Sequence, residues 1–444
     1  MLALFLLFAC SGGDDVPAPS GAVTTGTADT ASGPREVAWR PGLPPLEEGV
    51  RVITHLHSPW SHDACDGQGL VKGVINEPCL QDLREGLCTA GIDVAFFTDH
   101  PSEAAFQAYD ELFIAREGDT WDGQAGTLSC PDGRSVRWFP GIEDELMPLG
   151  LERHVAGDAA ERDIAYNEDS AEAVERLIGV GAAVFVAHTE GRDLAQLQAQ
   201  QDVGLAGVEI FNLHAMFAPD IRADDLGLDP IAWLTEIGDF TSDDGTAEPD
   251  LFVLAVLERQ PPSLERFDAL LARGPVVGIV GTDAHQNVLP VELRDGDRAD
   301  SYRRMLRWMD NVVLPEGGED VKTALAAGRS YVAFEIVGTP SGFSFAASDG
   351  TSMGGTTSDR TLSIGCPTLH PESPRGPVDP QVTVRLLKDG VEVATGCGEH
   401  SVDPGVYRVE VDILPLHLEP FLGEVADVWL KPYPWILSNS IRVE

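Results

Sequence analysis

Six short, almost wholly apolar runs recur between residues 51 and 285, and five of them close on a histidine or an acid. They read RVITHLH (51–57), IDVAFFTDH (92–100), SVRWFPGIE (135–143), AAVFVAHTE (182–190), LAGVEIFN (205–212) and PVVGIVGTDAH (275–285). Helical patterns such as CLQDLREGLCTAG, SAEAVERLIGVG and SLERFDALLARG lie between them. Strands that are apolar on both faces and alternate with helices belong in a parallel sheet covered on both sides. With this many repeats, an α/β fold that closes into a distorted barrel is expected rather than an open sheet. Barrel enzymes gather their functional groups at the C-terminal ends of the strands, which is where this chain carries its histidines and acids.

His55 and His57 are two apart on a strand and so share a face. His62 follows in the loop SPWSHD, and His100 closes Thr-Asp-His. Glu143 ends Pro-Gly-Ile-Glu, His188 ends Val-Ala-His, and Asp283 and His285 are again two apart in Gly-Thr-Asp-Ala-His. Imidazole and carboxylate ligands suit zinc, manganese or iron, and the lack of cysteine among them argues against a structural zinc site. Walker and HExxH sequences are absent. The chemistry expected is therefore hydrolysis by water activated on two or three divalent ions. Glu143, Asp283 and His188 are the catalytic candidates. Asp63, Asp66 and Asp99 adjoin ligands and are expected to orient imidazoles through the far ring nitrogen. In Glu143-Asp144-Glu145 only the first is an expected ligand.

In this order HLHSPWSHD, FFTDH, FPGIE, VAH and GTDAH resemble the PHP (polymerase and histidinol phosphatase) family, over about residues 48–335. The resemblance implies a distorted (β/α)7 TIM-like barrel with a three-metal site. It implies a first ion on His55, His57, Glu143 and Asp283, and a second on Glu143 and His188. It implies a third ion on His62, His100 and His285. One more histidine is implied for the second ion, after a strand reading Glu-apolar-Tyr/Asn. VEIFNLHA offers His214 for it; the alternative is a loop histidine beside Asn212, with Asn212 orienting substrate. His154 stands where the family often carries a non-ligand histidine beside the site, facing ligands or substrate. Its neighbour Arg153 is read as a surface ion-pair residue rather than a contact to an anionic substrate. The segment KPYPWILSNSIRVE is similar to the carbaryl hydrolase-like branch of the family, with Ser440 where Pro is common. That branch also cleaves carbamates and esters. Phosphoester hydrolysis is thus the first expectation, and hydrolysis of carboxylic or carbamic esters the alternative. A third reading is a surface binding protein that keeps its metals as structure.

The charge narrows the partners. With 72 acidic against 30 basic residues, the formal net charge is -42, which repels polyanions and disfavours nucleic acid. A small-molecule or ester substrate is expected instead. The first ten residues, MLALFLLFAC, are too short to span a bilayer at about 20 residues per crossing. They read as the end of a secretory signal whose Leu7-Phe8-Ala9-Cys10 resembles a lipobox, with Cys10 lipidated and the chain anchored in a bacterial envelope. Residues 11–46, rich in Gly, Ser, Thr and Pro, read as a tether. The barrel is expected over 47–335. From about 336 the helices stop and alternating segments such as QVTVRLLKDGVEVAT suggest a small β-sandwich over 336–444. Six cysteines besides Cys10 suggest disulfides in an exported chain, four of them in the first domain and Cys366 with Cys397 in the last.

Overall fold

The computed structural model describes residues 36–444; the signal, the lipobox Cys10 and most of the expected tether lie outside the described residues. The six apolar runs form β1 (Val50–Ile53), β2 (Val94–Phe97), β3 (Ser135–Pro140), β5 (Ala183–Val186), β6 (Gly207–Asn212) and β7 (Val277–Gly281), with a further strand, β4 (Leu146–Leu149), after β3. Two further strands follow, β8 (Asp310–Val313) and β9 (Ser330–Ala333). Helix α1 (Glu77–Ala90) shows how local sequence sets the intervening helices. Asn76 caps it by accepting from the Cys79 amide, Pro78 sits in its first turn, and Gly91 ends it at φ 88°, the left-handed region that glycine tolerates.

The fold is mixed α/β. β1, β2 and β3 run parallel in one large sheet, which continues antiparallel from β1 through β8 to β9. A second, four-stranded sheet has the order β7-β6-β5-β4, parallel except for β4. Single bridges link the two sheets: Leu56 to Ala284 beyond β1 and β7, and Gly141 to Leu149 beyond β3. Among the described residues, the other edge of β7 pairs with no strand. Two asparagine side chains stand in for one. Asn311 donates to the Val280 carbonyl and accepts from its amide, and Asn439 does the same for Gly278. A buried peptide edge is thereby satisfied.

The C-terminal region is mostly strand, with β10 (Gln381–Lys388), β11 (Gly405–Leu414) and β12 (Tyr433–Ser438) its main members. Lys388-Asp389-Gly390 makes the expected hairpin turn, with Asp389 and Gly390 both at positive φ. These strands extend the large sheet, because β9 pairs with β12 and β12 with β11. The sheet therefore runs straight through residue 335, where separate domains were expected. The PWILSNS segment packs here: Trp435 donates to the Gly338 carbonyl and is fully buried. The tether also ends earlier than residue 46. Trp39 donates to Asp250 at 3.0 Å and lies 4.2 Å under the Arg307 guanidinium, so this part of the chain has something to bury against.

Disulfides join Cys65–Cys79, Cys88–Cys130 and Cys366–Cys397. The first two resolve the pairing that the sequence left open among the four early cysteines, and all three point to an oxidising, exported environment. No helix among the described residues is long and apolar enough to cross a membrane.

Candidate metal centre

The strand-end residues converge. His55 and His57 extend β1, and their backbone is held by the chain beyond β7 through Asp283 N–H to the His55 carbonyl and His57 N–H to the Ala284 carbonyl. Their Nε2 atoms lie 3.1 Å apart. Asp283 Oδ1 is 3.3 Å from the first and 3.1 Å from the second. The Nδ1 atoms are engaged elsewhere: His55 Nδ1 on Glu209 Oε1 at 2.7 Å, and His57 Nδ1 on Ser61 Oγ at 2.8 Å. A carboxylate partner fixes the proton of His55 on Nδ1 and leaves the Nε2 lone pair facing the same point as His57 and Asp283. Two nitrogens and a carboxylate oxygen crowded this closely fit a shared cation better than one another.

Four groups of three ligand atoms, each within 4.8 Å, are able to hold metal: His55/Glu143/His188, His55/His57/Asp283, His57/Asp63/His100 and His214/Asp283/His285. Eight of the nine expected metal ligands fall in these groups. His214 is brought in, its Nδ1 3.2 Å from Asp283 Oδ2. His62 is not. Its side chain is 55% exposed and meets Ser102 and Glu103 at the surface. The inward neighbour is Asp63, whose Oδ2 lies 3.5 Å from the Nε2 of both His100 and His285. His285 groups with His214 and Asp283, and shares Asp63 with His100. The loop fixes this choice. Cys65 and Asp66 are both in the left-handed region, their amides donate to the His285 and Gln286 carbonyls, and Cys65 is tied to α1 by its disulfide.

Other expectations change in role. Asp99 touches no imidazole; it accepts from the amide and hydroxyl of Ser58 and so holds the loop after β1. Asp66 pairs with Arg298. Asn212 is fully buried and donates to Glu209. His154 bonds the Tyr166 hydroxyl and the Gln107 carbonyl. Arg153 reaches the Gly179 carbonyl. Glu145 pairs with Arg192 at 2.6 Å. The residue that sequence reasoning passed over is Glu209. It is fully buried in β6, and besides His55 it accepts from the His188 amide. An acid in the middle of an apolar strand was its signal. Glu190, also buried, lies 3.4 Å from His188 Nδ1.

His188 and Asp283 both adopt φ 50°. For residues with a side chain this conformation costs of order 1–3 kcal/mol and persists where surrounding contacts enforce it, commonly at functional sites. The charges agree with a cation site. Burial pulls His55 down, but Asp283 and Glu209 outweigh it and push it up to about 9. Burial would raise Glu143, yet its His100 hydrogen bond and the His55 charge hold it at about 2. Burial would likewise raise Asp63 and Asp283, and their histidine neighbours hold both well below the usual carboxylate range. Burial takes His285 to about 4, favouring the neutral ring that a ligand needs. Asp63 Oδ1 is buried without a hydrogen-bond partner, as an oxygen reserved for an ion would be. A fifth acidic group, Glu248/Asp250/Asp295, is different in kind: Asp250 is already matched by Arg303, Arg304 and Arg307.

No family model and no curated protein matches this sequence. Among solved structures, one titled "Crystal Structure of PsfC from Pseudomonas syringae PB-5123" is similar over 62% of this chain and 85% of that one. Its identity is 14% and its TM-score 0.34, a likeness too weak to carry an argument.

Proposed function

We propose that this chain is an exported metal-dependent hydrolase of the PHP type, cleaving phosphoester bonds. The observation that carries the reading is the meeting of His55 Nε2, His57 Nε2 and Asp283 Oδ1 within 3.3 Å, flanked by three further ligand groups. In this reading the two sheets, linked by the Leu56–Ala284 and Gly141–Leu149 bridges, are the halves of a distorted barrel. The ligands are then its C-terminal rim. Two or three divalent ions, zinc, manganese or iron, would be held by His55, His57, Asp63, His100, Glu143, His188, His214, Asp283 and His285. When bound they supply Lewis acidity, bringing proton loss from water near neutral pH and polarising the ester oxygen.

The protein's own contribution is orientation and charge. Glu209 and Ser61 hold the rings of His55 and His57 so that Nε2 faces inward. Glu209 also steadies the His188 backbone. Asp63, Glu143 and Asp283 supply the negative charge that balances cations. His62 and His214, the more exposed imidazoles, lie nearest solvent and are the side chains we assign to meeting substrate. Export with a lipid on Cys10 belongs to the same proposal, and the three disulfides support its compartment.

The test is hydrolysis of p-nitrophenyl phosphate and p-nitrophenyl acetate by metal-replete protein, with His57→Ala as control. Turnover of the phosphate that His57→Ala abolishes is expected. Turnover of the acetate alone would move the reading to carboxylic esters. Inactivity on both, with metal confirmed by elemental analysis and unfolding on chelation, would leave the metals structural and sink the proposal.

A further inference from the structure

A cavity of about 680 Å³ opens at the starts of β5, β6 and β7. Ala183 and Val184 line it from β5, Ala206 from just before β6, and Val277 from β7. These strands are parallel, and His188, His214 and Asp283 follow their other ends. At about 3.3 Å per residue the cavity lies roughly 13–26 Å from those ligands along the chain. It is a separate place from the candidate metal centre.

Its wall is unusual for this protein. The chain carries a net charge of -42, yet none of the lining residues is acidic, and Lys322, Arg329 and Arg442 are cationic. Glu319 neutralises Arg329. Lys322 donates to the Gly150 and Gly181 carbonyls at 3.1 and 2.8 Å, with Glu152 at 3.5 Å. The Arg442 side chain donates to the Leu271 carbonyl and, among the described residues, has no carboxylate partner. The rest of the wall is chiefly small or aliphatic. Its volume falls within the roughly 300–1,000 Å³ of small-molecule sites, which pair apolar walls with a few polar groups.

We infer that this cavity binds a small organic anion with an apolar body, of the medium-chain carboxylate class. The head group meets Arg442, and the tail runs along Ala183, Val277 and Ala326. A surface this acidic repels free anions in general, so a site that prefers them must do so through local charge.

Isothermal titration of the full chain with decanoate and with decyltrimethylammonium, both below micelle formation, separates the two effects. One saturable decanoate site is expected, at least tenfold tighter than the ammonium with the same tail. Arg442→Gln should weaken decanoate at least fivefold, and Ala326→Trp should abolish it by filling the mouth. Should Ala326→Trp fail to fold by circular dichroism, Thr323→Trp at the same mouth gives the same readout. Absence of saturable binding, equal affinity for both amphiphiles, or decanoate affinity untouched by either the tryptophan or the Arg442 change would overturn the assignment. The readout involves neither metal nor turnover, so it stands or falls apart from the hydrolase reading.

Discussion

Glu209 Oε1 lies 2.7 Å from His55 Nδ1, and neither side chain is exposed to solvent. The other oxygen of the same carboxylate accepts from the His188 amide and from Asn212. One buried acid thus sets the ring of a candidate ligand just after β1 and the backbone of another after β5.

Glu209→Gln keeps the shape but removes the charge and the forced proton position on His55. Outer partners of metal-bound histidines typically contribute about 10–100-fold to metal affinity. A loss in that range is expected by competition against a chromophoric chelator. An affinity within twofold of the parent would show that packing alone orients His55.

The inward position of Asp63 and the outward position of His62 make opposite predictions for neighbouring residues. Asp63→Asn should remove about one equivalent of bound metal by elemental analysis, while His62→Ala leaves the metal content intact. Loss of an equivalent in His62→Ala would restore His62 to the ligand set.

The Cys65–Cys79 bridge closes a short loop that begins two residues after Asp63. Replacing both cysteines by serine should lower unfolding stability by about 3 kcal/mol on loop entropy. It should also weaken metal retention, because the left-handed turn at Cys65 and Asp66 loses its anchor. The Cys366–Cys397 double serine variant should lower stability with metal content unchanged. Equal metal loss in both variants would mean that the first bridge has no special link to the site.

His417 supplies a pH dependence away from the metals. Burial first, and the Arg375 charge second, take it down to about 3, and both ring nitrogens are buried without a hydrogen-bond partner. The unfolded chain, with histidine near 6.5, binds the extra proton between about pH 6.5 and 3. The stabilising contribution is therefore complete above about 6.5 and is lost as pH falls through that window. Between pH 6.5 and 4 the loss amounts to about 3 kcal/mol for this one group. His417→Gln should flatten that part of the stability curve in urea unfolding at pH 4 and pH 7. An unchanged slope would assign the acid sensitivity to other groups.

Much of the site is legible in the sequence because strand direction does the placing. A parallel strand delivers whatever follows its last apolar residue to one rim, so His57, Glu143, His188 and Asp283 need no knowledge of distant contacts. The exchange of His62 for Asp63 is not legible. Adjacent residues face opposite ways according to loop torsions, and those torsions come from contacts to His285 and Gln286 more than 200 positions away. Glu209 is visible only as an anomaly, an acid within an apolar run; its partner is 154 residues distant. The C-terminal strands are legible as strands, since alternation is local, but their joining to β9 is not. The register of Tyr331 on Ser438 is a long-range match that no local pattern contains.

That match bears on how the polypeptide is made. While β12 is still unsynthesised, β9 presents an open strand edge, and the amide and carbonyl of Gly278 wait for Asn439. Open edges invite pairing with other chains, and partly completed intermediates are the species that aggregate. A nascent chain of this protein therefore cannot finish its first-made half until nearly all of the second has emerged. Its export favours being held unfolded over folding piece by piece.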